Sequence, residues 1–236
     1  KLEGQLARID RNLFSDCTHL SSLTLPESIR KIESGAFRNC SSLCEIFLPD
    51  GVEKIGKKAF FSCSSLERVS LPHSLKVIKD FAFYKCKSLK EILIPSSLRE
   101  IGRDTFAYCS SLERAEIKGN LEAIEDRVFN KCLKLREVII PENLKTIGYR
   151  AFYECQSLKG MNMPASLEGI GEEAFARCRV LESVVIPDEV KRIEKGCFRG
   201  SLNLKEVTLP SSLYSIGSEA FFGCISLSNI SIPSST

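Results

Sequence analysis

The sequence predicts a stacked-repeat solenoid with one parallel strand per coil, and three observations predict it. The first is a period. Phe14, Phe37, Phe60, Phe83, Phe106, Phe129, Phe152, Phe175, Phe198 and Phe221 follow one another at steps of 23 residues, with no insertion or deletion. The second is that other residue types keep the same register. Ile runs from Ile9 to Ile216, Leu from Leu20 to Leu227, and Cys from Cys17 to Cys224 with Ser201 on the one vacant rung. Pro runs from Pro26 to Pro233, replaced once by Lys118. The third is that the conserved letters of a unit are mostly apolar. A fixed period between about 20 and 50 residues is the mark of a chain whose units stack on their own copies.

Each unit reads as three pieces. Leu66, Val69, Leu71 and Pro72 form a short strand: Val69 and Leu71 alternate with period two, and Pro72 ends the strand by removing a main-chain donor. Leu75 and Ile78 follow as the inward pair of a return segment. Ala59, Phe60 and Cys63 then lie three or four residues apart, a spacing that predicts a short helical turn with all three on one face. Gly56, Gly102, Gly148, Gly171 and Gly217 precede that turn, although Glu33, Lys79 and Glu125 hold the same place in other units. One unit alone buries too little apolar surface to offset the ordering of its backbone, so neighbouring units must supply the rest. Ten strands at about 4.8 Å would make an array roughly 45 Å long.

The chain has 236 residues, 43% hydrophobic and 27% charged, with a net charge of +3 and a pI near 8.3. That is ordinary globular composition, and it lacks the concentrated basic stripe that nucleic acid binding requires. No apolar stretch approaches the roughly 18 residues of a membrane span. The first residues, "KLEGQLARID", lack the apolar core of a signal peptide and fall inside the repeat, with Leu2 and Leu6 opening a half-unit. We therefore expect residues 1–236 to be a single repeat domain cut from a longer protein.

The run "LERVSLPHSLKVIKDFAFYKCKSL", residues 66–89, resembles the BspA-like leucine-rich repeat, and the resemblance extends over essentially the whole chain. It implies a curved, right-handed array with a parallel sheet on the concave face. It also implies frequent use in cell-surface or secreted proteins of anaerobic or host-associated microbes, often for adhesion.

Eleven cysteines are many for this length, and they form no CxxC pairs. Repeated once per coil, each ladder Cys should face the core as a small hydrophobe with a weak donor. Disulfides between adjacent rungs, metal binding and redox sensing are the alternatives. Cys197 replaces Ala beside Phe198 and reads as core; Cys44 sits among charged strand residues and reads as the most accessible thiol. His19 and His73 read as surface residues of turns, and Phe61, Tyr84, Tyr153 and Phe222 as partly packed aromatics near the convex side.

Outward on the strand, the column Thr24, Phe47, Ser70, Leu93, Glu116, Ile139, Asn162, Val185, Thr208, Ser231 places Phe47, Leu93, Ile139 and Val185 on every second repeat. Four exposed apolar side chains in a row are a candidate binding stripe, against the alternative that such residues merely favour strands. The neighbouring column alternates in sign through Glu45, Arg68, Glu91, Arg114 and Glu137. Opposite charges on adjacent strands attract, which suits either fixing of register or recognition of a mixed-charge partner.

No nucleophile–base pair, phosphate loop or dinucleotide fingerprint is present, and no cofactor is implied. We expect a non-enzymatic protein-binding or adhesion module at the cell surface, recognising a protein such as a host or matrix component. The alternatives are a structural spacer or an intracellular interaction scaffold. End-to-end or homo-oligomeric contacts are also expected, and no nucleic acid or membrane insertion.

Overall fold

The computed structural model describes residues 6–234; Leu2, half of the expected opening unit, lies outside them. The chain winds into stacked coils, and each coil meets the next along three parallel seams.

The first seam is aromatic and lies inside the turns. The rings from Phe14 to Phe221 stack in one unbroken column, with centroids 5.1–5.7 Å apart and planes within 14° of parallel. Offset parallel stacking satisfies the ring quadrupoles, and every ring from Phe37 to Phe198 is fully buried.

The expected helical turn is absent. Residues two before and two after each Phe take left-handed backbone angles, as at Lys58 (φ 58°) and Ser62 (φ 58°) around Phe60. Two left-handed residues in five cannot belong to a right-handed helix. The segment is instead a run of tight turns, with Cys63 N–H donating to Phe60 C=O and Ala59 N–H to Gly56 C=O. The amides between these are left free to reach the next coil. Lys58, Phe60 and Ser62 N–H donate to the carbonyls of Asp80, Ala82 and Tyr84 at 2.7–3.0 Å. The Phe-to-next-coil bond recurs at every junction, from Phe14 N–H onto Ala36 C=O to Phe198 N–H onto Ala220 C=O. A helix would spend those amides within the coil.

The ladder cysteines complete this seam. Cys63 Sγ donates to the carbonyl of Phe37 at 3.1 Å, and the same bond joins Cys86 to Phe60, Cys109 to Phe83 and so on to Cys224 and Phe198. On the vacant rung, Ser201 Oγ donates to Phe175 C=O at 3.0 Å, so the hydroxyl reproduces the thiol's bond. All eleven cysteines are free. Burial pushes the thiol of Cys40 up to about 11 and that of Cys178 up to about 12. Cys17 departs from the expected core position and is exposed, because no described coil covers it.

The second seam is the return segment, which folds into two-residue parallel strands. Ile9, Ile32, Ile55, Ile78 and Ile101 pair in register through strands Arg8–Ile9, Lys31–Ile32, Lys54–Ile55, Val77–Ile78 and Glu100–Ile101. The coils approach closely just beyond. A Cβ on Gly56 would stand 2.6 Å from Ser34 N, so glycine at that place lets one coil settle onto the main chain of its neighbour.

The third seam is the strand face, and it is discontinuous. Strands Glu91–Ile94, Arg114–Ile117 and Glu137–Ile139 form one parallel sheet. Glu45–Phe47 pairs with Arg68–Ser70, and Ser183–Val185 with Glu206–Thr208 and then Asn229–Ile230. Between these groups the ladder is open.

Candidate functional site

The strand face carries every residue singled out as a binding candidate. Period-two alternation turns Ile46, Ile92 and Val138 inward, where they are buried, and leaves their successors outside. Phe47, Leu93, Ile139 and Val185 are accordingly 62%, 49%, 41% and 65% exposed. They stand two coils apart, with Ser70, Glu116 and Asn162 on the coils between.

The charged column pairs in twos rather than as a continuous ladder. Arg68 reaches Glu45 at 2.7 Å, and Arg114 reaches Glu137 at 3.2 Å and Glu116 at 3.1 Å. Glu91, between them in sequence, forms no side-chain ion pair or hydrogen bond among the described residues. One column over, Lys90 meets Glu67 at 2.7 Å and Arg136 meets Glu113 at 3.5 Å. The Lys90 hydrogen bond and charge hold the Glu67 carboxyl below its usual range.

Grooves mark the places where the ladder opens. No main-chain bond joins Arg68–Ser70 to Glu91–Ile94; the nearest is Lys90 N–H to Glu67 C=O at 3.4 Å. A groove of about 530 Å³ lies here, rimmed by Phe47 and Leu93. Val69 and Leu71, inward residues by sequence, are only half-buried in it, whereas Ile92 and Ile94 in the next coil are buried. A second groove of about 700 Å³ lies where residues 160–163 form no strand, between Ile139 and Val185. Met161 and Met163 are half-buried there, in contrast to the buried Val138 and Val184. A smaller one, about 300 Å³, lies between Leu23–Leu25 and Phe47–Pro49. The exposed stripe was legible in the sequence, but the half-open floors were not. Gly160 in a strand position is the one local signal for the second groove. The unit around Val69 carries the full repeat pattern and gives none.

On the turn side the aromatic residues mostly pack on one another and under cations. Phe61 stacks on Tyr84 at 5.0 Å and Tyr84 meets Tyr108 at 5.2 Å, beneath Lys58, Lys85 and Lys131. Tyr153 lies under Arg150 and Arg177, which pair with Glu173 and Glu154, while Phe222 is 63% exposed. Cys44, His19 and His73 are exposed. No group of three or more His, Cys, Asp or Glu side chains is placed to hold a metal ion among the described residues. No helix among them is long and apolar enough to cross a membrane.

Parallel coils with a shared apolar interior and a broad side-chain surface define the class: a leucine-rich-repeat solenoid, a fold that typically serves as a non-enzymatic binding scaffold. The sequence profile of the BspA type leucine rich repeat region matches residues 7–136 and 122–236 in six copies, and the chain belongs to that family. No curated protein sequence matches it. Among solved structures it is similar to a leucine-rich repeat protein of Bacteroides ovatus, at 27% identity and a TM-score of 0.50, over 94% of this chain and 81% of that one. It is also similar to a leucine rich cell surface protein of Faecalibacterium prausnitzii, at 27% identity and a TM-score of 0.60, over 94% and 68%. The pneumococcal vaccine antigen PcpA shares the fold at 23% identity and a TM-score of 0.53, over 94% and 72%.

Proposed function

We propose that the chain is a protein-binding module that recognises its partner through the strand face and is displayed at the cell surface as a single domain of a longer protein. One observation carries the reading. Phe47, Leu93, Ile139 and Val185 stand exposed in a single column, which costs solvation and adds nothing to the core. Aligned apolar side chains between charged columns supply the two ingredients of an interface: buried anchors and a polar surround that sets orientation. Family membership supports the reading, and so does likeness to a chain described as a cell surface protein.

The test replaces Phe47, Leu93, Ile139 and Val185 together by Ser and compares the surface proteins retained by the two forms. Because all four are exposed, the variant should fold with an unchanged unfolding midpoint. Loss of the retained partner is the expected result. Retention at unchanged affinity would remove the strand face as the site. A spacer would instead tolerate the four changes and respond to deletion of one 23-residue coil.

A further inference from the structure

The groove between Arg68–Ser70 and Glu91–Ile94 combines three features, of which the groove at Met161 and Met163 shares the first two. Its floor is apolar and half-exposed, formed by Val69 and Leu71, while its rims carry Phe47 and Leu93. Its main-chain edges are unmatched across the gap. Its charges, three cations and three carboxylates, are not all paired. Arg68 is held by Glu45, Lys90 by Glu67, and Arg114 by Glu116 and Glu137, so the one side chain left over is the carboxylate of Glu91.

Each feature constrains the occupant. An apolar floor between two apolar rims accepts an aliphatic or aromatic side chain, and about 530 Å³ is room for one such anchor and its neighbours. Unmatched main-chain donors and acceptors favour an occupant that presents amides at regular intervals, which an extended peptide does. An unpaired carboxylate at the rim favours a cation on the occupant and disfavours an acid.

We infer that this groove takes an extended segment of a partner protein. One apolar side chain seats on Val69 and Leu71 between Phe47 and Leu93, and a neighbouring lysine or arginine pairs with Glu91. This rests on the reading of the strand face as the recognition surface and assigns the chemistry of what binds there. The second groove, at Met161 and Met163, has no such carboxylate on its strands, since Glu137 is held by Arg114; its one carboxylate without a side-chain partner among the described residues, Glu142, lies in the turn beyond them.

The experiment pans a displayed library of random nine-residue peptides on the protein and measures the enriched peptides by fluorescence anisotropy. Enriched sequences should carry Phe, Leu or Ile within two positions of Lys or Arg. Ser70→Trp, which fills the groove from an exposed position, should weaken them at least tenfold. Glu91→Lys should weaken them by a similar factor and shift selection toward peptides with Asp or Glu at the same place. Both variants should keep the parent's unfolding midpoint, since both residues are exposed. Enriched peptides that ignore Ser70→Trp but are lost with Asn162→Trp would overturn this inference and leave the strand face standing. Peptides blocked by neither would overturn both. Failure to enrich any peptide, with a folded partner still lost in the four-serine variant, would again remove this groove alone.

Discussion

The turn side and the strand side of these coils are built from one repeat, yet one is continuous and the other is not. On the turn side, stacked Phe rings run from Phe14 to Phe221 without a gap, and thiol or hydroxyl bonds and coil-to-coil amide bonds join every pair of neighbouring coils along them. On the strand side no strand forms at residues 21–25, and the ladder opens again at Arg68–Ser70 and at residues 160–163. The difference follows from what each seam asks of its residues. The turn seam is made by identical residues meeting identical residues, and a thiol or hydroxyl suffices on each rung. The strand seam is made by side chains that change from coil to coil, so its closure depends on each junction separately. Regularity is lost there at particular junctions, and each loss leaves a groove.

The largest loss is expected in the aromatic column. Phe106→Ala should cost about 3–5 kcal/mol, because the ring is fully buried between Phe83 and Phe129. The same change at the half-buried Phe221 should cost less than half as much, both read from urea unfolding midpoints. Equal losses would mean that the column does not act through burial.

Next in size is the left-handed turn. Ser62→Val places a β-branched residue at φ 58° and should cost about 1–3 kcal/mol, while Ser62→Gly should be neutral or slightly stabilising. Gly200 and Gly223 already occupy the equivalent place in later coils.

The thiols give the third test, through pH. Burial raises the pKa of Cys109 above its unfolded value near 9, so the folded chain keeps a proton that the unfolded chain releases. The stabilisation is therefore whole below about pH 9 and is lost as pH rises toward the folded pKa, at about 1 kcal/mol per pH unit for each such thiol. Cys109→Ser retains a donor for Phe83 C=O, as Ser201 does for Phe175, and removes the titration. Its unfolding free energy should fall less steeply between pH 9.5 and 10.5 than that of the parent, by about that amount.

The smallest effect sharpens the strand side. A side chain at Gly160 would meet nothing within 4 Å, and glycine weakens a strand by about 0.5–1 kcal/mol. Gly160→Thr should stabilise by that amount and raise the melting temperature by a few degrees. Amides of Met161 and Met163 should exchange with solvent faster than those of Val138 and Val184, and slow toward them in the variant.

Much of this architecture could be read from spacing. The buried columns, the return pair at Leu75 and Ile78, the exposed stripe and the free thiols follow from a side chain repeating over itself. The turn differs from the helix that its spacing predicts, for a specific reason. Ala59, Phe60 and Cys63 share a face in a helix, but they share one equally in consecutive tight turns, and residue spacing does not separate the two. The choice was made by the amides of Lys58, Phe60 and Ser62, which bond between coils.

Alone, the amino-acid order settled which residues lie over which, because a constant period forces like onto like and burial follows from stacking. It did not settle whether neighbouring coils close at Val69 or part there, since that unit is written like the others. Closure depends on hydrogen-bond geometry across two coils, and the pairing of Arg68 with Glu45 and of Arg114 with Glu137 leaves Glu91 without a side-chain partner. Those are properties of neighbours brought together in space, and they decide where the surface offers a groove.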